Sequence, residues 1–340
     1  MTSKFRSWIV ELRAPFLTGT LVSVLLGTAI ACARNNVFNP AYFFLVLLGA
    51  IFSHLGANVA NDYYDHKSGN DEVNREFVRP FSGGSRTIQM GWLTPKEVLL
   101  GAVFFFTSAT LIGIYLSWVV GPFLLVLVAV GLVSGFFYTG KPFNWASRGI
   151  GEALVAVNFG ALMTLGAYYV QAEKLVLEPL LASVPVSLLI ASVLYINEFP
   201  DYVADKTVGK NTLVVRLGRK KAAYGYALIV SFAFMFVFLN VLLGVAPAYT
   251  LFALIPLPLA VEAVRRTLKF HSEPFSLVPA NALTIVFHFL TSILISLGYL
   301  TYRFETAGFT YTFILAMVGI CAVLTINFYL KSKRAKPPTT

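Results

Sequence analysis

Ten long apolar runs, separated by shorter polar segments, decide what this chain can fold into. An α-helix needs about 20 mostly apolar residues to cross the hydrocarbon core of a bilayer. Of the 340 residues, 57% are hydrophobic and only 12% are charged, which leaves too little polar surface for a soluble globule. The sequence therefore predicts an all-α fold, a polytopic bundle of transmembrane helices. The apolar runs cover residues 14–33, 40–60, 97–117, 119–138, 149–170, 176–197, 222–244, 246–264, 278–300 and 307–330.

The basic residues alternate between the two predicted membrane faces. Counted over alternate connecting segments, 23 Lys and Arg residues fall on one face, and three, Arg34, Lys174 and Arg303, fall on the other. Segments rich in Lys and Arg stay in the cytoplasm, so we predict a protein of the cell membrane with both termini cytoplasmic. This asymmetry accounts for most of the formal net charge of +10, and we do not predict a nucleic-acid partner.

All five aspartates of the chain lie in two segments on the predicted cytoplasmic face. Residues 58–71 read NVANDYYDHKSGND, and residues 197–205 read NEFPDYVAD. The segments share the pattern N-x-x-x-D and end runs that lie four apart, so their helices are parallel and can face one cavity. Helix capping suits any one aspartate but does not explain why all five fall in two matching segments.

Helical spacing places the polar residues of each segment on one face. The two sets are Asn58, Asp62 and Asp65 at i, i+4 and i+7, and Asn197, Asp201 and Asp205 at i, i+4 and i+8. We expect Pro200 to bend or end the second helix. Carboxylate and amide oxygens are the ligands that Mg²⁺ prefers, usually together with substrate phosphates. The sequence shows no zinc-spaced His/Cys cluster, Walker A sequence, G-x-S-x-G or dinucleotide fingerprint.

Three further features point to the same face. The polar segment 66–95 contains SGGSR, whose flexible backbone amides and arginine favour a functional cap, although a solvated linker remains open. Glu152 and Asn158 are costly in lipid unless they face the protein interior, so we predict that they do. Lys141 follows the fourth run beside Tyr138, where an aromatic belt at the membrane interface is the alternative explanation for the tyrosine.

N-D-x-x-D at residues 61–65 and D-x-x-x-D at residues 201–205 resemble the two aspartate-rich motifs of the UbiA superfamily of intramembrane prenyltransferases. The resemblance covers the first nine runs. Within the superfamily, YTGKPFNWASRGIGEALVAVNFGALMTLGAYYVQ and DKTVGKNTLVVRLG are similar to the branch that prenylates 1,4-dihydroxy-2-naphthoate in menaquinone biosynthesis. The resemblance implies a nine-helix bundle around a central cavity, in which Mg²⁺ joins the aspartates to a polyprenyl diphosphate. The tenth run would be an accessory helix.

The resemblance also implies roles for individual positions. Asp71 matches its motif less closely than the other aspartates because its spacing is wider. The basic and aromatic residues are assigned by charge and placement, the tyrosines as rings that face an allylic cation. The implied metal ligands are Asp62, Asp65, Asp201, Asp205, Asp71 and Asn58, of which the first four also form the catalytic group. The implied substrate-binding residues are Asn197, Arg86, Lys141, Lys210, Tyr138 and Tyr195.

The implied reaction is transfer of the prenyl group to an aromatic ring, with loss of CO₂ if the acceptor is 1,4-dihydroxy-2-naphthoate. Relatives often show N-N-x-R-D at the second motif, whereas this chain has N-E-F-P-D and lacks the arginine that could contact a substrate carboxylate. Homogentisate, 4-hydroxybenzoate or a glycerophosphate-type acceptor therefore stay open. So does a transporter with parallel repeats, although its charges should lie near the bilayer midplane.

Residues 1–300 are predicted to form the prenyltransferase domain, and residues 301–340 the accessory helix and a basic cytoplasmic tail. The predicted partners are a polyprenyl diphosphate, an aromatic small molecule and the lipid bilayer. No feature of the sequence indicates an obligate protein partner.

The predicted orientation can be tested by cysteine labelling. In a chain whose native cysteines are replaced by serine, Ser68→Cys should react with a membrane-impermeant maleimide only in inside-out vesicles, because segment 66–95 is cytoplasmic. Lys174→Cys, on the opposite face, should react only in right-side-out vesicles and serves as the control. Labelling of Ser68→Cys in right-side-out vesicles would contradict the orientation.

Overall fold

The chain folds into helices joined by turns and loops. The computed structural model describes residues 3–307 and 312–334, and these residues contain no β-strand. Residues 308–311 of the tenth apolar run and 335–340 of the predicted tail lie outside the described residues. The helices are α1 Lys4–Glu11, α2 Leu17–Asn35, α3 Pro40–Ser68, α4 Asn70–Val73, α5 Pro95–Val120, α6 Phe123–Phe136, α7 Gly151–Val155, α8 Met163–Ala172, α9 Glu178–Thr207, α10 Leu213–Leu217, α11 Arg219–Leu242, α12 Leu257–Phe270, α13 Val278–Thr306 and α14 Thr312–Arg334.

Helices occupy all ten predicted apolar runs. Among the described residues, nine helical segments are long and apolar enough to cross a membrane. The helix of the fourth run, α6, is shorter than predicted, at 14 residues, because Pro122 precedes its start and it ends at Phe136. The all-α fold of a multi-pass membrane protein is confirmed.

The main apolar core lies between α2, α9, α11 and α13. Leu26, Leu189, Tyr226 and Phe287 are among the side chains that this core excludes from solvent completely or almost completely. On the other side of the bundle, α3 packs along α5, and α2 packs along α8. The short helix α4 contacts both α3 and α9, so the two aspartate segments lie at the same end of the bundle.

Pro200 does not end α9, which continues to Thr207, so that alternative of the prediction is wrong. A proline inside a helix removes the N–H that would bond to the carbonyl four residues earlier, here the carbonyl of Ile196. Asn281 of α13 donates from Nδ2 to this carbonyl at 3.2 Å. Its amide replaces the lost donor, and neighbouring helices commonly satisfy freed carbonyls in this way within membranes.

An asparagine also satisfies a carbonyl that a proline frees nearer the start of α9. Pro185 lies inside the helix and frees the carbonyl of Leu181. Asn240 of α11 donates from Nδ2 to the Leu181 carbonyl at 3.0 Å. Both helix-internal prolines of α9 are therefore matched by an asparagine on a neighbouring helix.

The pairing of Pro185 with Asn240 can be tested by a double-mutant cycle. Asn240→Ala should destabilise the purified protein by about 1–3 kcal/mol, because it leaves a buried carbonyl without a donor. In a Pro185→Ala background the helix supplies its own N–H to that carbonyl, so Asn240→Ala should cost less. Thermal unfolding in detergent measures both effects, and equal losses in the two backgrounds would contradict the pairing.

Candidate active site

A cavity of about 200 Å³ lies where the aspartate-bearing ends of α3 and α9 meet. Its walls come from α3, α9, the ends of α6 and α7, and segment 81–84. The structure thus brings the two aspartate segments to one cavity. The predicted residues that line it are Asn58, Asp65, Asp71, Tyr138, Asn197, Asp201, Asp205 and Lys210.

Asp62 is only 3% exposed and is not among the residues that line the cavity, although its ion-pair partner Arg13 is. Arg13, which follows α1, forms an ion pair with its Oδ1. The backbone N–H of Ser85 donates to its Oδ2 at 2.9 Å. Charge pairing and a hydrogen bond together offset the free energy of burying this carboxylate.

Lys210 connects the two aspartate segments. Its Nζ lies 3.0 Å from Oδ2 of Asp65 and 3.8 Å from Oδ1 of Asp205. Burial alone would lower the pKa of Lys210, but the charges of Asp65 and Asp205 outweigh burial and raise it well above its usual value. Lys210 therefore presents a fixed positive charge to the cavity.

The connecting segment 69–94 covers the second aspartate segment. Asn70 donates to Oδ1 of Asp205 at 3.0 Å, and Asn74 donates to Oδ1 of Asp201 at 2.6 Å. The N–H of Gly83 donates to Oδ2 of Asp201 at 3.2 Å. These contacts agree with a functional cap rather than a solvated linker, and the backbone amides of SGGSR take part as expected.

Asp71 is 3% exposed and reaches the cavity from α4. Gln89 donates to its Oδ2 at 3.2 Å, and Arg86 donates to its backbone carbonyl at 2.9 Å. The guanidinium of Arg86 also lies over the ring of Phe77, 4.3 Å from the ring centroid. Arg86 therefore stands behind Asp71 and is not part of the cavity lining.

Burial raises the pKa of Asp71 to about 7, and the charge of Asp65 adds to this, while nearby Arg and Lys side chains oppose it. Burial and the neighbouring negative charge therefore favour the neutral form of this carboxyl. A divalent cation bound at the site would favour the charged carboxylate and lower the pKa again.

The structure does not bring Lys141 and Tyr195 to the cavity. Lys141 is exposed in the turn after α6. Tyr195 is 1% exposed and packs in the main core beside Phe199, with ring centroids 6.1 Å apart. Residues two apart on a helix point to nearly opposite sides, so Tyr195 faces away from the cavity that Asn197 lines.

Several residues of the site were not predicted. Arg13 entered the sequence analysis only as a topology charge, and Asn70 and Asn74 not at all. Glu11, fully buried, accepts hydrogen bonds from the hydroxyls of Ser85 and Thr87 and holds the cap against α1. The available signal was Glu11, an acid at the end of the amphipathic segment that precedes the first apolar run, with Arg13 two residues later.

Both polar residues predicted to face the interior do so. Glu152 is 3% exposed and accepts a hydrogen bond from the N–H of Leu213 at 2.8 Å. Asn158 accepts a hydrogen bond from the hydroxyl of Ser134 at 2.8 Å and lines the cavity. Asn158 stands in a π-helical segment, Ala156–Leu162, between α7 and α8, and such segments often occur at functional sites.

A second, mostly apolar cavity of about 150 Å³ adjoins the first. It lies between α3, α5, α6 and α8 and extends away from the aspartates. His54, Asn158 and Phe159 line both cavities, so the two spaces are neighbours. A polar cavity therefore passes into an apolar one.

The donor set of the site suits Mg²⁺. Its carboxylate and amide oxygens are the ligand type that this ion prefers. Asn58 lines the cavity, and its Nδ2 is buried without a hydrogen-bond partner, so this amide is available to a ligand. In the described residues, no three His, Cys, Asp or Glu side chains converge as a ready-made metal cage. Ligand oxygens would have to complete the coordination.

The chain matches the model of the UbiA prenyltransferase family over residues 20–282. The 2-carboxy-1,4-naphthoquinone phytyltransferase of Synechocystis sp. is 27% identical over 293 residues, which cover 86% of this chain and 92% of that protein. The 1,4-dihydroxy-2-naphthoate octaprenyltransferase of Haemophilus influenzae is 31% identical over 311 residues, which cover 88% of this chain and 97% of that protein.

The fold is similar to that of a UbiA homolog from Archaeoglobus fulgidus, whose structure is bound to GPP and Mg²⁺. The TM-score is 0.53 at 16% sequence identity, and the match covers 97% of this chain and 100% of that chain. At this identity the similarity shows a shared fold.

Gly84 offers a test of the site with a matched control. It has a left-handed φ of +68°, and an added Cβ would lie 3.0 Å from Oδ1 of Asp62. Gly91 in the same segment has a φ of +65° and open space around it. Alanine at either position should cause similar backbone strain, but only Gly84→Ala should crowd the aspartates.

We expect Mg²⁺ with inorganic diphosphate to raise the melting temperature of the wild type and of Gly91→Ala, because ligands stabilise the state that they bind. Gly84→Ala should lose this rise. An equal rise in the two variants would show that the aspartates around Gly84 do not form the binding site.

Proposed function

This chain belongs to the UbiA prenyltransferase family, and from that premise we propose that it transfers a polyprenyl group from a polyprenyl diphosphate to a dihydroxynaphthoate-type acceptor with the help of Mg²⁺. One observation carries the proposal: the aspartate-bearing ends of α3 and α9 face one buried cavity that adjoins an apolar one. A diphosphate and its attached prenyl chain need two such neighbouring environments.

The aspartates would hold the metal and, through it, the diphosphate. Asp65 and Asp71 approach the cavity from one side and Asp201 and Asp205 from the other, with the amide of Asn58 beside them. Asp62 lies behind Arg13 and would join them when the metal draws that arginine away. When bound, Mg²⁺ supplies positive charge that stabilises the leaving diphosphate. The Archaeoglobus fulgidus homolog, which has a similar fold and is bound to GPP and Mg²⁺, supports a divalent metal and a prenyl diphosphate as the ligands.

The chain contributes cations of its own. Lys210 lines the cavity with a raised pKa, and Arg13 lines it from the end of α1. Fixed charges of this kind stabilise the negative charge that develops on a leaving group. Asn197, whose Oδ1 accepts a hydrogen bond from Asn281 at 2.7 Å, would present its N–H groups to the substrate. Arg86 acts indirectly, by positioning Asp71.

The apolar cavity would hold the prenyl chain. Its lining is mostly aliphatic and excludes water from the allylic carbon, where a carbocation must survive until the acceptor attacks. Phe159 brings an aromatic ring to the boundary between the two cavities, and Tyr138 brings another to the polar cavity. Aromatic faces stabilise nearby cations.

The acceptor that we propose is 1,4-dihydroxy-2-naphthoate, with loss of CO₂ from the ring carbon attacked. The naphthoate and naphthoquinone prenyltransferases among the relatives support it. Pro200 stands where relatives often carry arginine, so an acceptor carboxylate would have to use Lys210 or Arg13. Homogentisate, 4-hydroxybenzoate and glycerophosphate-type acceptors remain outcomes of the test.

A transporter is not favoured, because the carboxylates cluster at one end of the bundle rather than at its middle. We propose that this end faces the cytoplasm of a cell membrane. We also propose that residues 1–300 form the catalytic domain. The helix α14 would be an accessory element, since its main contacts are with α12 and α13.

Replacing either facing aspartate should abolish the activity. Asp62→Asn and Asp201→Asn remove charge at nearly constant shape, and each should lower product formation by about 100-fold or more. The assay contains farnesyl diphosphate, Mg²⁺ and the four acceptor types, with products identified by mass spectrometry. Glu273→Gln, an exposed carboxylate between α12 and α13, should keep full activity.

Retention of activity by both aspartate variants would remove the metal-binding assignment. Product with another acceptor alone would keep the mechanism and change the substrate. An active wild type that releases diphosphate only with 1,4-dihydroxy-2-naphthoate would establish the proposed acceptor.

A further inference from the structure

Two polar side chains, those of His54 and Asn158, lie at the boundary between the polar and the apolar cavity. A prenyl diphosphate that occupies both cavities would have its allylic carbon, the first carbon after the diphosphate, at this boundary. The acceptor ring must reach the same place to attack that carbon. The residues that line both cavities are His54, Ala57, Gly135, Asn158 and Phe159.

The ring of His54 is held at one of its nitrogens. Its Nδ1 lies 2.8 Å from the hydroxyl oxygen of Thr20 on α2, and the ring of Phe159 packs edge to face against it, with centroids 4.5 Å apart. The Thr20 hydroxyl is fully buried and has no other hydrogen-bond partner among the described residues. Buried hydroxyls normally have a partner for their hydrogen, so Thr20 donates to Nδ1. The ring hydrogen of His54 is therefore on Nε2.

Nε2 of His54 is a donor that faces the cavities. It has no partner in the part of the chain that the structure describes, and it is not closed off, whereas Nε2 of His288 is buried without a partner. Asn158 is held in a similar way, because its Oδ1 accepts a hydrogen bond from the hydroxyl of Ser134 at 2.8 Å. A donor that is fixed from behind and open at the boundary is placed to bind a ligand oxygen.

The diphosphate does not fit as that ligand. On α3, His54 precedes Asn58 by about one turn and Asp62 by about two, which places it about 12 Å along the helix axis from Asp62. The cations Arg13 and Lys210 contact aspartates at the other end of the polar cavity. A neutral N–H group beside apolar side chains suits a ring oxygen of the aromatic acceptor, which loses its hydrogen bonds to water when it enters the boundary.

We propose that His54 donates a hydrogen bond from Nε2 to the acceptor oxygen next to the ring carbon that is prenylated, and so positions that carbon against the allylic carbon. This inference rests on the proposed function and deepens it by naming a residue that recognises the acceptor. The acceptor class is an arene with a hydroxyl group beside the attacked carbon, as the 1-hydroxyl is in 1,4-dihydroxy-2-naphthoate. Holding two reacting carbons in contact lowers the barrier to their reaction.

Two amide substitutions separate this role from a structural one. The amide nitrogen of glutamine reaches the place of Nε2, whereas the amide of asparagine reaches only the place of Nδ1. His54→Asn therefore keeps a partner for Thr20 and loses the donor at the boundary, and His54→Gln does the reverse.

We expect His54→Asn to lower kcat/KM for 1,4-dihydroxy-2-naphthoate by about 10-fold or more, because a buried acceptor oxygen loses its donor. KM for farnesyl diphosphate should stay within about threefold, because His54 does not contact the diphosphate. His54→Gln should restore most of the activity that His54→Asn loses. Glu273→Gln should match the wild type.

Binding of two acceptor analogues gives a readout that does not depend on turnover. 1-Hydroxy-2-naphthoate has the oxygen that His54 would bind, and 2-naphthoate lacks it. In calorimetric titrations with Mg²⁺ and farnesyl thiolodiphosphate present, the wild type should bind the hydroxylated compound about 10-fold more tightly. His54→Asn should lose this preference, and His54→Gln should restore most of it.

An equal effect of the two substitutions would overturn the inference, and so would a preference for the hydroxyl that survives in His54→Asn. If the His54 variants do not fold, Thr20→Val decides. It removes the hydroxyl that keeps the ring hydrogen on Nε2, so the preference should fall, and Thr20→Ser should restore it. An undiminished preference in Thr20→Val would also overturn the inference.

Failure of this inference can be distinguished from failure of the proposed function. A wild type that prenylates 1,4-dihydroxy-2-naphthoate, with full activity in His54→Asn, refutes the inference alone. A wild type that binds no farnesyl thiolodiphosphate with Mg²⁺ and forms no product refutes both.

Discussion

Burying carboxylates at the ends of membrane helices is costly unless cations and hydrogen-bond donors surround them. At one end of this bundle, cations and hydrogen-bond donors surround the buried aspartates. Asp62 is held by Arg13, Asp65 by Lys210, and the second segment by amides of the covering segment 69–94. These partners also leave Asp65, Asp71, Asp201 and Asp205 facing one cavity, so the contacts that stabilise the buried charge create the site that can hold a metal and a diphosphate.

Helix α9, which carries the second aspartate segment, also receives hydrogen bonds from a side chain inside the bundle. Asn281 satisfies the carbonyl that Pro200 frees and also donates to Oδ1 of Asn197 at 2.7 Å. One side chain thus maintains the backbone of α9 and orients a residue of the cavity. The adjoining apolar cavity completes the arrangement, since a prenyl diphosphate combines a charged head with a long apolar chain.

The sequence predicted the helices, because apolar runs of membrane length are local features. It also predicted that the two aspartate segments face one cavity, because an even number of spans between matching segments makes their helices parallel. It could not predict that Arg13 or Asn74 reach those aspartates, since such contacts depend on how distant segments close over the cavity. Tyr195 was assigned by its placement just before the second aspartate segment, but its position on the helix directs its side chain into the main core. The continuation of α9 past Pro200 was not predicted either, because the donor to the carbonyl that Pro200 frees, Asn281, comes from another helix.

The central claim is that the two aspartate segments bind one prenyl diphosphate through a divalent cation. Calorimetric titration of farnesyl thiolodiphosphate, a poorly reactive analogue, into the purified protein measures this binding without turnover. The account predicts saturable binding with Mg²⁺, its loss when EDTA removes the metal, and its return when Mg²⁺ is restored. Equal affinity with and without the metal would contradict the account.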